Sequence, residues 1–410
     1  MKDTGQPMTA SNPIHDPQRL AQLMDSHGLD ALIASSFKHA FYLSGFYVDP
    51  AGMGDDFEGT CTLAPALRVA ALFRNPSVDP FFVLPSETAP DNTLDRTSWI
   101  TDVRTHGPLL DTGAENLPRG QDPWTVVLDA LADRGVSRSR IGLELSQTAL
   151  NLQTVAPPSF ARLQRALPDV EWIDASPLFA ELRLVKTPEE IARLTFVQNA
   201  LDRAAGIALE SMRAGMTEIA LDRLFRHALV DQGVDHRLTQ ITFAPDKWQR
   251  TRAWFPTGQK LARGNVINFD VSARYRMYLS DLGVTAFCGE PSARAAEITA
   301  AVRAAHLAAR RRVAPGASPA DIYAAAVEVL RDADVPPSLD IAGHGVGLSL
   351  HEQPLLGPAN RSPLKLNMVI AVEILAYAPG IGIFQAEDVV VVTQKGCRPL
   401  SRIGAEFPRL

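Results

Sequence analysis

The chain alternates between stretches with helical apolar spacing and short runs of continuous apolar residues. Asp16-Pro17 reads as a helix start, a capping carboxylate followed by proline at the first helical position, and Leu20, Leu23 and Met24 mark one apolar face before Gly28. A buried strand is expected at DALIAS (30–35), with further strands at VAALF (69–73) and PFFVLP (80–85). Residues 86–125 are rich in Pro, Gly, Asp and Thr, and regular patterning resumes at PWTVVLDALADRGV and RIGLEL, giving a βα pattern as far as Phe179.

Thr187-Pro188-Glu189-Glu190 is the clearest start signal, a capping box with proline in the first turn, and Ile191, Leu194 and Leu201 follow on one face. A domain boundary is placed just before it. The division is a flexible arm over 1–15, an α/β N-terminal domain over 16–183 and an α+β C-terminal catalytic domain over 184–410. Helices are expected from Thr217 to near Gly233, after Ser292 and after Ser318-Pro319. Strands are expected at VINFDV (266–271), VTAF (284–287), VIAVEILAY (369–377) and DVVVVT (388–393). No repeat of fixed period occurs, which sets aside solenoids and propellers.

Composition narrows the class. The 410 residues suggest two or three compact units, and 46% hydrophobic with 21% charged residues is ordinary for a globular enzyme. Forty Lys+Arg against 46 Asp+Glu give a net charge of −6, so no global field attracts nucleic acid or an anionic membrane. Cys61, Cys288 and Cys397 lie far apart, without the spacing of a disulfide framework or a zinc site, which fits a reducing compartment. The segment MKDTGQPMTASNPIHDP has no signal-like apolar core, and no apolar run reaches the roughly 18 residues of a membrane span. A cytoplasmic location is expected.

Three acidic residues interrupt apolar strand patterns: Asp270 in VINFDV, Glu373 in VIAVEILAY, and Glu387 just before DVVVVT. A single one fits a solvent-facing strand position, but a buried carboxylate costs several kcal/mol unless a cation accompanies it, and three in one domain favour a metal ion. Asp281 follows Asp270 by eleven residues across VSARYRMYLS, whose pattern suggests a strand pair returning to the same end. His344 lies between Gly343 and Gly345, with Gly347 nearby, which allows close backbone approach. His351 comes seven residues later, and the other histidines read as ordinary core or surface groups. Four carboxylates and one imidazole are too anionic for one structural zinc. Oxygen donors favour Mn²⁺, Mg²⁺ or Fe²⁺, with Zn²⁺ and Co²⁺ tolerated through the imidazole. Four negative charges balance two divalent ions, and a pair about 3.5 to 4 Å apart can hold a bridging hydroxide at neutral pH.

These segments carry a resemblance. FDVSARYRMYLSD, HGVGLSLHEQP, VIAVEILAY and GIFQAEDVVVVT, in that order, resemble the metal-site segments of the creatinase, prolidase, aminopeptidase P and methionine aminopeptidase family with the pita-bread fold. LRLVKTPEEI is similar to the hinge of its two-domain members, and GLDALIASSFKHAFYLSGF to the start of their N-terminal domain. The resemblance implies an α/β N-terminal domain, a pita-bread catalytic domain and two divalent metal ions, manganese foremost, with iron, cobalt or zinc as alternatives. It implies that Asp270 chelates one metal, Asp281 and Glu387 bridge both, and His344 and Glu373 complete the second. Glu373 would also accept a proton from the nucleophilic water. His351 would contact the substrate carbonyl or the tetrahedral intermediate. The expected activity is hydrolysis of a short Xaa-Pro peptide or small amide, in a homodimer.

The surroundings depart from the family's pattern. Where the family carries a further substrate-binding histidine, RTRAWFPTGQKL places Ala253, flanked by Arg252 and Trp254, which are candidates for lining a substrate pocket. Gly283-Val284-Thr285 stands for the usual Thr-Arg-Thr, Gln385 for an arginine two residues before the last glutamate, and Ile374 for a proline. Ala253, Gln385 and Gly283 together keep a second activity open, a small-molecule C–N hydrolase or a lyase resembling creatinase, ectoine hydrolase or dimethylsulfoniopropionate lyase. A silent binding protein on the same scaffold is disfavoured by the five retained ligands.

Overall fold

The computed structural model describes residues 13–47, 67–85, 98–107, 122–146, 155–246 and 255–401. They fall into two compact units that divide between Arg183 and Leu184.

In the first unit, α1 (Pro17–Ser26) starts where Asp16 accepts hydrogen bonds from the Gln18 and Arg19 amides, and buries Leu20, Leu23 and Met24. Next come β1 (Ala31–Ala34), α2 (Phe37–Ser44), β2 (Val69–Phe73), β3 (Phe81–Pro85) and β4 (Asp102–His106). The unit ends with α3 (Pro123–Ala132), β5 (Arg140–Leu143), α4 (Pro157–Ala166), β6 (Glu171–Asp174) and α5 (Ser176–Leu184). The strands form one mixed sheet in the order β4-β3-β2-β1-β5-β6. Ile33, Val69, Val83 and Ile141 on the sheet pack with Trp124, Val127 and Leu131 of α3. At the end of α2, Gly45 adopts φ 71°, a left-handed cap that suits glycine.

The second unit begins with α6 (Pro188–Glu210), opened by the full capping box of Thr187 and Glu190, and α7 (Glu218–Asp231). There follow β7 (Asp235–Thr242), β8 (Val266–Tyr275), β9 (Tyr278–Phe287), α8 (Ala293–Arg312), α9 (Pro319–Asp332) and β10 (Gly343–Gly345). The last elements are β11 (Glu352–Leu355), β12 (Val369–Ala378), β13 (Gly382–Thr393) and β14 (Gly396–Pro399). The long sheet runs β11-β10-β12-β13-β9-β8-β7, with β14 added to β13. All its pairings are antiparallel.

Two helix pairs cover this sheet. Helices α6 and α7 pack on Ile267, Phe269 and Val271 of β8 and on Leu282 and Val284 of β9. Helices α8 and α9 pack on Ile370, Val372 and Ile374 of β12 and on Phe384, Ala386 and Val390 of β13. Side chains alternate across a strand, so each apolar row dictates the opposite row. That opposite row holds Asn268, Asp270 and Ser272 on β8, Asp281, Gly283 and Thr285 on β9, Glu373 on β12, and Gln385 and Glu387 on β13. The strands extend further than the apolar runs alone suggest. Strand β13 begins at Gly382, so Glu387 lies within it rather than just before it, and β9 begins at Tyr278 and therefore contains Asp281. Polar residues on the face opposite the helices hide these strand segments from an apolar-run criterion.

Candidate metal centre

Register brings the acidic residues together. Asp270 pairs with Gly283, and Glu373 pairs directly with Glu387. Ala386 pairs with Val284, which sets Glu387 beside Gly283 in the next row. Asp270, Gly283, Glu387 and Glu373 therefore form one line across β8, β9, β13 and β12. Asp281 pairs with Ser272, two positions from Asp270, and so shares its face of the hairpin. His344 on β10 pairs with Ala371, two positions from Glu373. The ten residues between Asp270 and Asp281 include the turn Arg276-Met277, both at positive φ, which returns β9 alongside β8.

Three triads have potential ligand atoms within 4.8 Å of one another: Asp270, Asp281 and Glu387; His344, Glu373 and Glu387; and Asp281, His344 and His351. His344, Glu387, Asp281 and Asp270 are buried, and Glu373 is nearly so. The His344 ring is oriented by a contact of 3.1 Å between Nδ1 and the Gly345 carbonyl, which assigns the proton to Nδ1 and leaves a lone pair on Nε2. Nε2 stands 3.8 Å from Asp281 Oδ2, 3.8 Å from Glu373 Oε2 and 4.0 Å from Glu387 Oε1. Those spacings exceed a hydrogen bond. Burial drives the His344 pKa down to about 3, so the imidazole is neutral and supplies no counter-charge. His344 Nε2 and Glu387 Oε1 are buried without any hydrogen-bond partner.

The carboxylates have no counter-charge either. Burial raises the Asp270 pKa to about 7, and burial with repulsion from Asp270 raises Glu373 to about 8. Asp281 and Glu387 are pushed well above the ordinary range by burial and by their acidic neighbours. None of the four pairs with a lysine or arginine among the described residues. Four converging carboxylates, a neutral imidazole and two orphaned acceptor atoms are the donor set of a cation site, with oxygen predominating. These residues fit divalent metal ions.

The neighbouring loop is anchored by residues whose part the sequence did not disclose. His351 is exposed, and its ring centroid lies 4.3 Å from that of His344. Next to it, Glu352 accepts a hydrogen bond from the Ser349 amide and pairs at 3.2 Å with Lys186, a side chain only 1% exposed. Lys186, directly after Leu184-Val185 and before the Thr187 capping box, was the available signal. Asn268, two positions before Asp270 and hence on the same face, was legible from the period of two. Arg252, Ala253 and Trp254 lie outside the described residues.

Comparison with known proteins agrees with this geometry. A model of the Creatinase/Prolidase N-terminal domain matches residues 17–185, and a model of metallopeptidase family M24 matches residues 193–394. The chain belongs to the creatinase, prolidase and aminopeptidase P metallopeptidase family. Within that family it is 25% identical over 392 residues to an Xaa-Pro dipeptidase of Lactobacillus delbrueckii subsp. lactis, covering 95% of this chain and 97% of that one. It is 24% identical to a putative dipeptidase, YkvY, of Bacillus subtilis, covering 94% and 97%. Among solved structures, an Xaa-Pro dipeptidase from Bacillus anthracis aligns with a TM-score of 0.75 at 21% identity, covering 96% and 97% of the two chains. The prolidase from Pyrococcus furiosus aligns with a TM-score of 0.70 at 20% identity, covering 93% and 99%. The family's pita-bread architecture is the fold of this chain, which is a metallohydrolase that uses divalent metal ions. No helix among the described residues is long and apolar enough to cross a membrane.

Proposed function

We propose that this chain is a dinuclear metallohydrolase that cleaves the peptide bond of a short Xaa-Pro peptide, with its catalytic domain in residues 184–410. The observation that carries the reading is the cluster of three buried carboxylates, a nearly buried fourth and a neutral imidazole, with no cationic side chain paired to the acids among the described residues. In this reading Asp270, Asp281 and Glu387 would hold one ion, and His344, Glu373 and Glu387, with Asp281, would hold the other. Two of the triads described above divide in that way. Manganese suits the oxygen-rich set best.

When bound, the two ions activate a water nucleophile at neutral pH and polarise the acyl oxygen. The protein's own groups supply the remainder. Glu373, held as a carboxylate beside the metal ions, would accept the proton that the attacking water loses and could return it to the leaving nitrogen. His351, exposed beside His344, donates a hydrogen bond to the oxygen of the tetrahedral intermediate. The Lys186–Glu352 pair fixes the backbone that carries His351. The preference for Xaa-Pro peptides rests on the names of the relatives. A homodimer in the cytoplasm fits this reading.

Gln385 beside Gly283 favours one competing reading, a small-molecule C–N hydrolase or lyase on the same centre, because the positive charge of an arginine is replaced by a neutral amide. A panel of Xaa-Pro dipeptides, other dipeptides and small zwitterionic amides, assayed with Mn²⁺ and with chelator, separates the two. Chelator-sensitive cleavage of Xaa-Pro dipeptides is the expected result. Turnover confined to the small amides overturns the peptidase assignment.

A further inference from the structure

Gln385 occupies the middle of the centre without belonging to the donor set. It is 2% exposed, and both ends of its carboxamide are engaged. Nε2 donates to Glu373 Oε1 at 3.0 Å and to Glu387 Oε2 at 3.3 Å, and Oε1 accepts from Asn268 Nδ2 at 2.8 Å. The Asn268 donor fixes which end of the Gln385 amide faces the carboxylates. The Gln385 backbone is pinned as well, since its amide donates to Thr285 Oγ1 at 2.8 Å and its carbonyl accepts from the same hydroxyl at 3.0 Å.

Room for this side chain comes from Gly283. A Cβ added there would lie 2.7 Å from Gln385 Cγ and would overlap Cδ and Nε2 too. Gly283 sits between Asp270 and Glu387 in the line of facing residues, so any side chain at that position displaces Gln385 from the two glutamates. The glycine is therefore explained by what lies over it.

Glu373 and Glu387 face each other across β12 and β13 and repel when both are ionised. One NH₂ group with two hydrogens can serve one to each, which draws the carboxylates to a common centre without neutralising them. An arginine in this place would bring a positive charge into the cluster, whereas glutamine leaves all of the charge compensation to metal.

We propose that Gln385 is a positioning residue that sets the placement of Glu373 and Glu387 for metal, and that Gly283 is its obligate partner because only glycine admits it. The proposal rests on the metal-centre reading above. Its role is orientation of ligands from outside the donor set, a kind of contact whose loss typically weakens metal binding about 10- to 100-fold.

The test uses the full chain freed of metal, titrated calorimetrically with Mn²⁺ alone, with the thermal midpoint of the metal-free chain as the folding control. Gln385→Ala and Gln385→Met are expected to weaken Mn²⁺ binding about 10- to 100-fold while remaining folded. Methionine keeps the volume over Gly283 but offers no hydrogen, so an equal loss in both variants assigns the effect to the amide. Gly283→Ala is expected to lose at least as much as Gln385→Ala. Placed in the Gln385→Ala background, it should add less than about twofold, because the side chain that it displaces is already gone. Mn²⁺ affinity within about twofold of wild type in Gln385→Ala or Gln385→Met, or losses that simply multiply in the double variant, overturns the proposal. Should Gly283→Ala fail to fold, the two Gln385 variants still decide the positioning role. Failure of the wild-type chain itself to bind Mn²⁺ would instead remove the metal-centre reading on which the proposal rests.

Discussion

In the N-terminal unit, Glu144 is fully buried, yet every part of its carboxylate is answered. It accepts from the Ser35 and Ser36 amides at 2.7 and 2.9 Å and meets His39 Nδ1 at 2.5 Å. His39 in turn stacks on Phe179 at 4.2 Å and receives Arg183 Nη1 on its other nitrogen at 2.9 Å. The Glu144 pKa is held low, although burial pushes it upward, because the charge and hydrogen bond of His39 and the Ser36 contacts outweigh desolvation. In the C-terminal unit, Asp270, Asp281 and Glu387 are buried and Glu373 nearly so, and their pKa values move the other way. The contrast separates two uses of buried acid. A carboxylate that carries its own donors is part of the scaffold, and a group of them without a cation is a place prepared for one.

The largest effect should come from removing one acid of each kind. Glu144→Ala leaves the Ser35 and Ser36 amides and His39 Nδ1 without their acceptor and is expected to cost about 3 to 5 kcal/mol of stability. Glu387→Ala should cost the metal-free chain far less, or stabilise it, because it relieves repulsion, while abolishing Mn²⁺ binding. Denaturant unfolding of both metal-free variants checks this, and equal destabilisation would erase the distinction between scaffold and site. Next in size, His351→Ala should lower kcat about 10²- to 10³-fold with metal content unchanged, as measured by steady-state kinetics beside metal analysis.

Metal removal should be felt in the C-terminal unit. At Mn²⁺ a hundredfold above its dissociation constant, binding should add about 2.7 kcal/mol of stability, and chelator should take it away. The pH dependence should differ in sign between the two clusters. Asp270 and Glu373 keep their protons to about pH 7 and 8 in the metal-free native state, whereas the unfolded chain has released them by about pH 5. The native state then binds more protons, so this cluster's contribution to stability falls as pH rises from about 4 to 8. His39 has its pKa lowered by burial, so the unfolded chain takes up a proton first and its contribution falls as pH drops below about 6.5. Amide exchange in β12 and β13 against that in β1 and α2, followed across this range, reads the two trends separately. Parallel trends would contradict the account.

Local signals carried much of the fold. Asp16-Pro17 and the Thr187–Glu190 box start helices because their chemistry is complete within four residues. VAALF and VIAVEILAY are strands because their apolar runs are buried. The site was legible as a set of misplaced acids and a glycine-flanked histidine, and the resemblance assigned them roles. Long-range register was not legible. The pairing of Glu373 with Glu387 and the seat of Gln385 over Gly283 join residues up to about a hundred positions apart, and nothing local marks them. Strands β10 and β11 are three and four residues long and too short for periodicity to reveal. The apolar run alone puts Glu387 outside its strand because Glu387 belongs to the acidic row and so interrupts the run.

The central claim is that the acidic row of the C-terminal sheet holds two divalent ions. Its most direct measurement is a Mn²⁺ titration of the metal-free full chain alongside Glu387→Gln, with elemental analysis of the bound metal. The account predicts two equivalents per wild-type chain and loss of both sites, or a drop of at least a hundredfold in affinity, in the variant. Substoichiometric metal in the wild type, or unchanged binding in Glu387→Gln, would contradict it.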